Sequence, residues 1–184
     1  MNYKRWIFIT IFLFGISLFF GSLATPASTS DTLSRDIAAF KEFARILSSF
    51  PPAITALIIF IKNTSILVMS FLLSPILCLV PILALTLNGW VIASISQIVI
   101  QEKSLGFLLA GLLPHGIFEI PALILGEAAA LAFGATVILA LFKKDRRNQL
   151  LPSLKQNLRY LTIAVTLFLP AAIVETFVTP LLLT

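Results

Sequence analysis

The sequence is short of charge, of cysteine and of histidine. Only 11% of its 184 residues are charged, whereas about a quarter of a soluble domain is. The single cysteine, Cys78, excludes a disulfide within the chain, and there is one histidine. The chain also lacks a GxxxxGK(S/T) phosphate loop, an HExxH motif and a GxSxG motif. These absences argue against a soluble domain, a disulfide-stabilised domain and the common hydrolases.

What the chain has instead is apolar sequence in long runs. Hydrophobic residues make up 59% of it, the mean hydropathy is +1.05, and several runs reach the roughly 20 residues that a membrane span needs. The runs are apolar on every face, which suits helices rather than the alternating strands of a barrel. The net charge of +5 comes from basic residues at the ends of these runs, which indicates membrane orientation and not nucleic-acid binding. We predict an all-α, polytopic transmembrane helical bundle, with residues 1–184 as a single membrane domain in the cell membrane.

The first predicted span lies within residues 1–23. Lys4 and Arg5 precede WIFITIFLFGISLFFGSL, a run without charge. The small residues of SLATPAS that follow also resemble a signal-peptidase site. We expect an uncleaved anchor, with a cleaved signal as the alternative.

Residues 28–63 are predicted to lie on the extracytoplasmic side. Apolar residues recur at helical spacing among charges of both signs between Ser30 and Phe50, which predicts an amphipathic helix on the membrane surface. Pro51 and Pro52 end it. The following run, 53–63, has only about ten apolar residues, which is too short to cross a bilayer, so we place it at the interface.

Residues 64–142 are predicted to form a core of broken helices. The apolar run 64–100 spans about 55 Å as one helix, well beyond a hydrocarbon core of about 30 Å. Pro75 and Pro81 favour a turn there, giving a hairpin of spans at about 62–78 and 81–100. One broken span over 64–100 is the alternative.

Charge determines the expected topology of the remaining segments. The loop 143–158 is strongly basic and should face the cytoplasm, as should Lys4 and Arg5. An odd number of crossings must then separate 24–63 from this loop. With the hairpin, only one crossing remains for 105–142, so we predict a re-entrant segment at 105–113 that turns at Pro114-His115-Gly116. A last span at 159–181 brings the total to five, with the N-terminus cytoplasmic and the C-terminus outside.

Five polar residues interrupt the apolar runs and are the candidates for a site. Such residues inside a membrane usually face a partner, a cavity or one another. His115 and Glu119 share a helical face, and Glu127 lies two turns further on, about 80° around the helix. The sequence offers too few ligands for a confident metal site, and it shows no nucleophile setting, so we expect no metal, no cofactor and no catalytic residue. The candidates are Asn88, His115, Glu119, Glu127 and Glu175.

These residues belong to motifs that resemble the stage II sporulation protein M family. An Asn-Gly pair, then PHGIFEIPA, then IVETFVT occur in the order in which that family carries NG, PHG-x-x-E-x-P-A and E-A/T-x-x-T. Asn63 is similar to an Asn that the family has before its second span, and Glu127 falls where many members have a small residue. The family motif comprises Asn88, Gly89, Pro114, His115, Gly116, Glu119, Pro121 and Glu175, with Asn63 and Glu127 as less certain members.

The resemblance implies a function without catalysis. The family's founding member is expected to be a scaffold for two peptidoglycan-degrading partners, although members also occur in organisms that do not sporulate. We therefore expect a non-enzymatic scaffold that recruits other membrane or cell-envelope proteins, with homo-oligomerisation as a further option. The alternative is a small transporter or channel component that uses a polar site at His115, Glu119 and Glu175.

Overall fold

The computed structural model describes residues 3–23 and 49–183. Within these ranges the chain forms six α-helices and one short 3-10 helix, and no strand. Helices α1 to α5 each contribute a segment long and apolar enough to cross a membrane. The predicted all-α bundle with five spans is therefore confirmed, while the predicted amphipathic surface helix lies outside the described residues. The helices are α1 (Tyr3–Leu23), α2 (Pro52–Leu73), α3 (Leu79–Glu102), α4 (Leu105–Phe142), α5 (Leu150–Phe177) and α6 (Thr179–Leu182), with the 3-10 helix Lys144–Gln149 before α5.

Helix α4 is the centre of the bundle. Two thirds of its apolar window, 67%, is buried, against 22–28% for the other four spans, and each of those four packs on it. Close packing needs small residues where helix backbones meet. Gly126, Ala130 and Gly134, spaced four residues apart, are all buried.

Helix α1 is part of the folded core. The Tyr3 ring stacks on Tyr160 with ring centroids 3.5 Å apart, and its hydroxyl donates to the Leu125 carbonyl at 2.7 Å. Further along α1, the Ser17 hydroxyl donates to the Thr86 carbonyl of α3. Both ends of α1 are thus tied to other helices.

Residues 74–78 separate α2 from α3. Pro75 cannot donate a backbone hydrogen bond, and Leu77 and Cys78 have positive φ angles of 52° and 56°, which reverse the chain direction. The Ser74 hydroxyl donates to the Phe71 carbonyl at 2.8 Å and closes the end of α2. Pro81 falls in the first turn of α3, where the missing N–H costs nothing. The run 64–100 is therefore two helices, in agreement with the hairpin and not with one broken span.

The interfacial placement of residues 53–63 is wrong, because they form the first half of α2. Pro52 is the first residue of this helix, a position that proline favours. The 22-residue helix continues across Lys62 and Asn63 without a break. These two polar residues made the run look too short, but the helix that contains them is span-length.

The predicted re-entrant turn at Pro114-His115-Gly116 is also wrong. These residues lie inside α4, which runs without a break for 38 residues. A proline in a transmembrane helix is tolerated because neighbouring helices re-satisfy the freed carbonyl. The re-entrant piece is not needed for the parity either, because α2, α3 and α4 are each long and apolar enough to cross once, and three is an odd number.

Helix α5 begins earlier than predicted. It starts at Leu150, not near residue 159, and ends at Phe177, so the basic connection is limited to Lys143 and the 3-10 helix Lys144–Gln149. Ser153 and Asn157, expected in or beside an exposed loop, are buried in the first turns of α5. The basic residues predict that the last span begins after them, at about residue 159. The helix nevertheless begins earlier and itself contains Lys155 and Arg159.

Candidate polar site between three helices

The long helix α4 presents His115 and Glu119 on one face, one turn apart. The His115 Nε2 atom is 3.9 Å from the Glu119 Oε2 atom, and the two side chains are 14% and 33% exposed. Because α4 is continuous here, the sequence-derived expectation that this pair shares a helical face is fulfilled. The pair therefore stands in a partly open position on the central helix.

Glu175 of α5 joins this pair. One ligand atom from each of His115, Glu119 and Glu175 lies within 4.8 Å of the other two. Glu175 comes from the end of α5, which packs along α4. An imidazole and two carboxylates are thus brought together from residues 60 positions apart in the chain. Together they can share protons or bind a cation.

Two further side chains hold the cluster in place. Asn63 of α2 donates from Nδ2 to Glu119 Oε1 at 3.2 Å. The Thr179 hydroxyl, at the start of α6, is 3.5 Å from His115 Nδ1 and donates to the Val174 carbonyl at 3.3 Å. Asn63, the less certain family residue, is therefore a direct partner of the site.

A small cavity continues from Glu119 into the bundle. It has a volume of about 80 Å³. Asn88 lines it, although the Asn88 Nδ2 atom itself donates to the Ala84 carbonyl of its own helix at 2.7 Å. The polar lining consists of Lys62, Asn63, Asn88, Glu119 and Glu127. The cavity therefore connects Glu119, one residue of the cluster, to Glu127, another of the residues predicted from sequence.

Glu127 does not belong to the three-residue cluster. Its side chain is completely buried, and Ser70 of α2 donates to its Oε2 atom at 2.5 Å. Its Oε1 atom has no hydrogen-bond partner among the described residues. A buried oxygen of this kind calls for a donor, and the adjacent cavity is where a donor can reach it.

The other motif residues serve packing and helix geometry. A Cβ at Gly89 would lie 2.7 Å from Ser17 Oγ and 3.0 Å from the Phe14 carbonyl oxygen, so this glycine permits α1 to approach α3. Gly116 has no such crowding, since the nearest atom to a Cβ there is 3.8 Å away. Pro114 and Pro121 lie within α4 and supply no polar group to the site.

Three participating residues were not among the candidates from sequence. Thr179 follows Glu175 by four residues and belongs to the same short motif, which is a signal that could have identified it. Lys62 is close enough to Glu175 for their charges to interact, and its charge within an apolar run is a second usable signal. Ser70 offers none, because serine is common in membrane helices and only the packing of α2 on α4 brings it to Glu127.

A larger cavity lies at the opposite end of the bundle. It has a volume of about 610 Å³ and is lined by Arg5, Arg146, Gln149 and Ser153 among others. Ser153 donates to Thr136 at 3.1 Å beside it. None of the residues predicted as site residues lines this cavity, which is where the basic ends of α1 and α5 meet.

Comparison with known proteins identifies the relatives of this chain. The model of the family described as Stage II sporulation protein M matches residues 9–180. An uncharacterized protein, MJ0793, of Methanocaldococcus jannaschii is 26% identical over 95% of this chain and 93% of its own length. A second uncharacterized protein of that organism, MJ0706, is 39% identical over 36% of this chain and 32% of its own length. No solved structure matches significantly.

Proposed function

Because the chain belongs to the stage II sporulation protein M family, we propose that it is a non-enzymatic multi-pass protein of the cell membrane that recruits partner proteins as a scaffold. Its partners are other membrane or cell-envelope proteins, or further copies of itself. The proposal rests on the family and on one feature of the bundle surface.

That feature is a polar opening halfway along a span. Lys62 is the eleventh of the 22 residues of α2 and is exposed. Beside it, Glu119 is one third exposed. A charge near the bilayer centre costs at least about 2.5 kcal/mol when it meets lipid. A polar segment of another protein that covers this opening would remove that cost.

The opening is surrounded by surface that suits a membrane partner. Three apolar residues of α2 near Lys62 are about half exposed: Ile61 just before it, and Ile66 and Met69 one and two turns after it. Apolar surface of this kind does not distinguish a partner from lipid, since lipid tails are equally apolar. The polar groups at its centre supply the specificity, because only a partner with matching polar groups satisfies them.

Site-specific photo-crosslinking in native membranes tests this proposal. A photoreactive residue at Ile66, which borders the opening, is expected to give a discrete protein adduct that Lys62→Leu weakens. The matched control is Phe12 on α1, which is 58% exposed and should give lipid adducts only. Protein adducts of equal yield at both positions, or none at Ile66, would contradict the proposal.

A transport role is the second candidate, and the convergence of His115, Glu119 and Glu175 favours it. Polar groups near the middle of a membrane protein often mark a substrate or ion path. The small cavity extends this cluster towards Glu127. Proteoliposomes should then show a pH-dependent cation flux that Glu119→Gln abolishes and Glu102→Gln, an exposed change at the end of α3, leaves intact. Absence of flux for protons and for mono- and divalent cations would exclude this candidate.

A further inference from the structure

We propose that His115, Glu119 and Glu175 form a binding site for a divalent transition-metal ion, with the chemistry of zinc. Imidazole nitrogen and carboxylate oxygen are both zinc ligands, and sites that keep a water use three protein ligands. The three side chains come from α4 and α5 and offer ligand atoms within 4.8 Å of one another. This inference concerns a bound ion and holds whether the protein is a scaffold or a transporter.

The contact between His115 and Thr179 is compatible with a metal-binding tautomer. The Thr179 hydroxyl is 3.3 Å from the Val174 carbonyl oxygen and 3.5 Å from His115 Nδ1. In the tautomer whose Nδ1 donates to this hydroxyl, the bare Nε2 faces Glu119 Oε2, 3.9 Å away. A metal ion between these two acceptors would satisfy both. Metal-binding histidines are held in the same way, with the second nitrogen donating to an oxygen.

Glu119 is oriented by an equivalent contact. Its Oε1 atom accepts from Asn63 Nδ2 at 3.2 Å, which leaves Oε2 directed at His115. The side chain is one third exposed, so the bundle does not seal it off. The site thus has the oriented ligands that a metal site requires.

The neighbouring cavity supplies a place for a metal-bound water. It is lined by both Glu119 and Glu127 and has a volume of about 80 Å³, enough for a few waters. Glu127 is fully buried, and its Oε1 atom is without a donor among the described residues. Waters in this cavity can connect a metal ion bound at Glu119 to this oxygen and donate to it. The orphaned carboxylate oxygen is therefore an observation independent of the three ligands.

The distances allow the site to close on an ion. Zinc bonds of about 2.0–2.1 Å in tetrahedral geometry place ligand atoms roughly 3.3 Å apart. The 3.9 Å between His115 Nε2 and Glu119 Oε2 therefore has to shorten by only a fraction of an ångström. The Glu175 ligand atom lies within 4.8 Å of the other two, and rotation of its side chain near the end of α5 can bring it closer.

A proton is the competing occupant of the same space. A doubly protonated His115 would donate to Glu119 and need no metal, and the Lys62 ammonium would balance Glu175, with which it interacts. In that arrangement the folded protein has no saturable affinity for transition metals. Metal binding by the purified protein separates the two cases.

The experiment is metal titration of the full-length protein in detergent after chelator treatment and dialysis. We expect one Zn²⁺ per chain by calorimetry and tetrahedral-type visible bands with Co²⁺. His115→Ala, Glu119→Gln and Glu175→Gln should each weaken binding more than about 100-fold, and Thr179→Val by about 10- to 100-fold, the usual effect of losing a contact behind a ligand. Glu102→Gln is the matched control and should bind as the wild type does.

Lys62→Ala separates this inference from the proposed scaffold function. It removes a positive charge beside the site, so metal affinity should rise, whereas partner crosslinking should fall. Monodisperse elution and an unchanged helical circular dichroism spectrum establish that each variant is folded. The proposal is overturned if the folded wild type binds no Zn²⁺, Co²⁺ or Mn²⁺ saturably, or if the three ligand variants bind as tightly as the wild type. If a ligand variant does not fold, the proposal is judged by whether the wild type binds metal saturably and whether Thr179→Val weakens that binding.

Discussion

Glycine at position 134 marks where the central helix meets the chain reversal between α2 and α3. A Cβ there would lie 2.8 Å from the Ser74 carbonyl carbon and 2.9 Å from Cys78 Sγ. Backbone cannot yield as a flexible side chain does. The residue therefore fixes how closely α4 can approach this reversal.

We expect Gly134→Ala to lower the resistance of the protein to thermal unfolding. Overpacking of this kind typically costs about 1–3 kcal/mol, more than the gain from replacing glycine by alanine in a helix, about 1 kcal/mol at most. Gly15→Ala is the control, since a Cβ at Gly15 meets nothing within 4 Å in the part of the chain that the structure describes, and it should be neutral or stabilising. Thermal midpoints in detergent measure the difference, and equal midpoints would refute the crowding argument.

Single residues were the part of the site most open to prediction from sequence. Glu119 and Glu175 stand out because charge is costly in an apolar run, and His115 because it is the chain's only histidine. Their partners were harder to identify. The role of Glu127 as a separate, buried carboxylate depends on Ser70, which reaches it only through the packing of α2 on α4.

At the scale of elements, α1 is joined to α3 by a narrow contact. Gly89 faces Ser17 and the Phe14 carbonyl, while Gly21 faces Ala93, whose Cβ would be 2.8 Å from an added Cβ. Two glycines on opposing helices thus let the two backbones approach. Because packing holds α1 against α3, α1 should stay bound when the chain connection is cut.

We expect co-expressed fragments 1–27 and 28–184 to co-purify, and Gly89→Leu in the larger fragment to abolish this. A leucine side chain at position 89 would occupy the space of Ser17 and push α1 away. The control is Gly106→Leu, because among the described residues the contact within 4 Å of a Cβ there is Ser104 Oγ, at 3.8 Å. Pull-down of a tagged fragment 1–27 gives the measurement, and recovery of the Gly89→Leu fragment at the wild-type level would contradict the prediction.

Helix boundaries were less predictable than helix number. The charges of Lys62 and Arg159 predict that spans end there, yet α2 and α5 continue through both positions. Pro114 predicts a turn, yet α4 is continuous there. Backbone hydrogen bonding favours an unbroken helix in an apolar environment, and neighbouring helices decide whether a polar residue or a proline can be accommodated.

At the scale of the whole molecule, five span-length helices that each cross once would leave one arrangement of sides with the basic loop in the cytoplasm. With the basic 3-10 helix Lys144–Gln149 in the cytoplasm, alternation of α1 to α5 puts the N-terminus inside and the C-terminus outside. The reversal at residues 74–78 then faces the cytoplasm, and the connection at residues 103–104 faces outside. This orientation is a proposal that labelling can test.

We expect a membrane-impermeant thiol reagent to label Ser104→Cys in intact cells, and Ile76→Cys and Asp145→Cys only after the membrane is opened. All three positions are exposed, and the background is Cys78→Ala. Ser153 is unsuitable for the inner position because it is buried. Labelling of Ile76→Cys in intact cells, or of Ser104→Cys only in opened cells, would exclude this orientation.

Sequence alone determined that the chain is an all-α protein with five helices long and apolar enough to span a membrane, and which family it belongs to. These properties follow from apolar runs of sufficient length, from the placement of basic residues and from short ordered motifs, all of which are local. Tertiary structure decided which polar residues meet. His115, Glu119 and Glu175 converge because α5 returns along α4, while Glu127, on the same helix as His115, faces Ser70 instead. Contacts between residues 60 positions apart depend on helix packing, which no local pattern encodes.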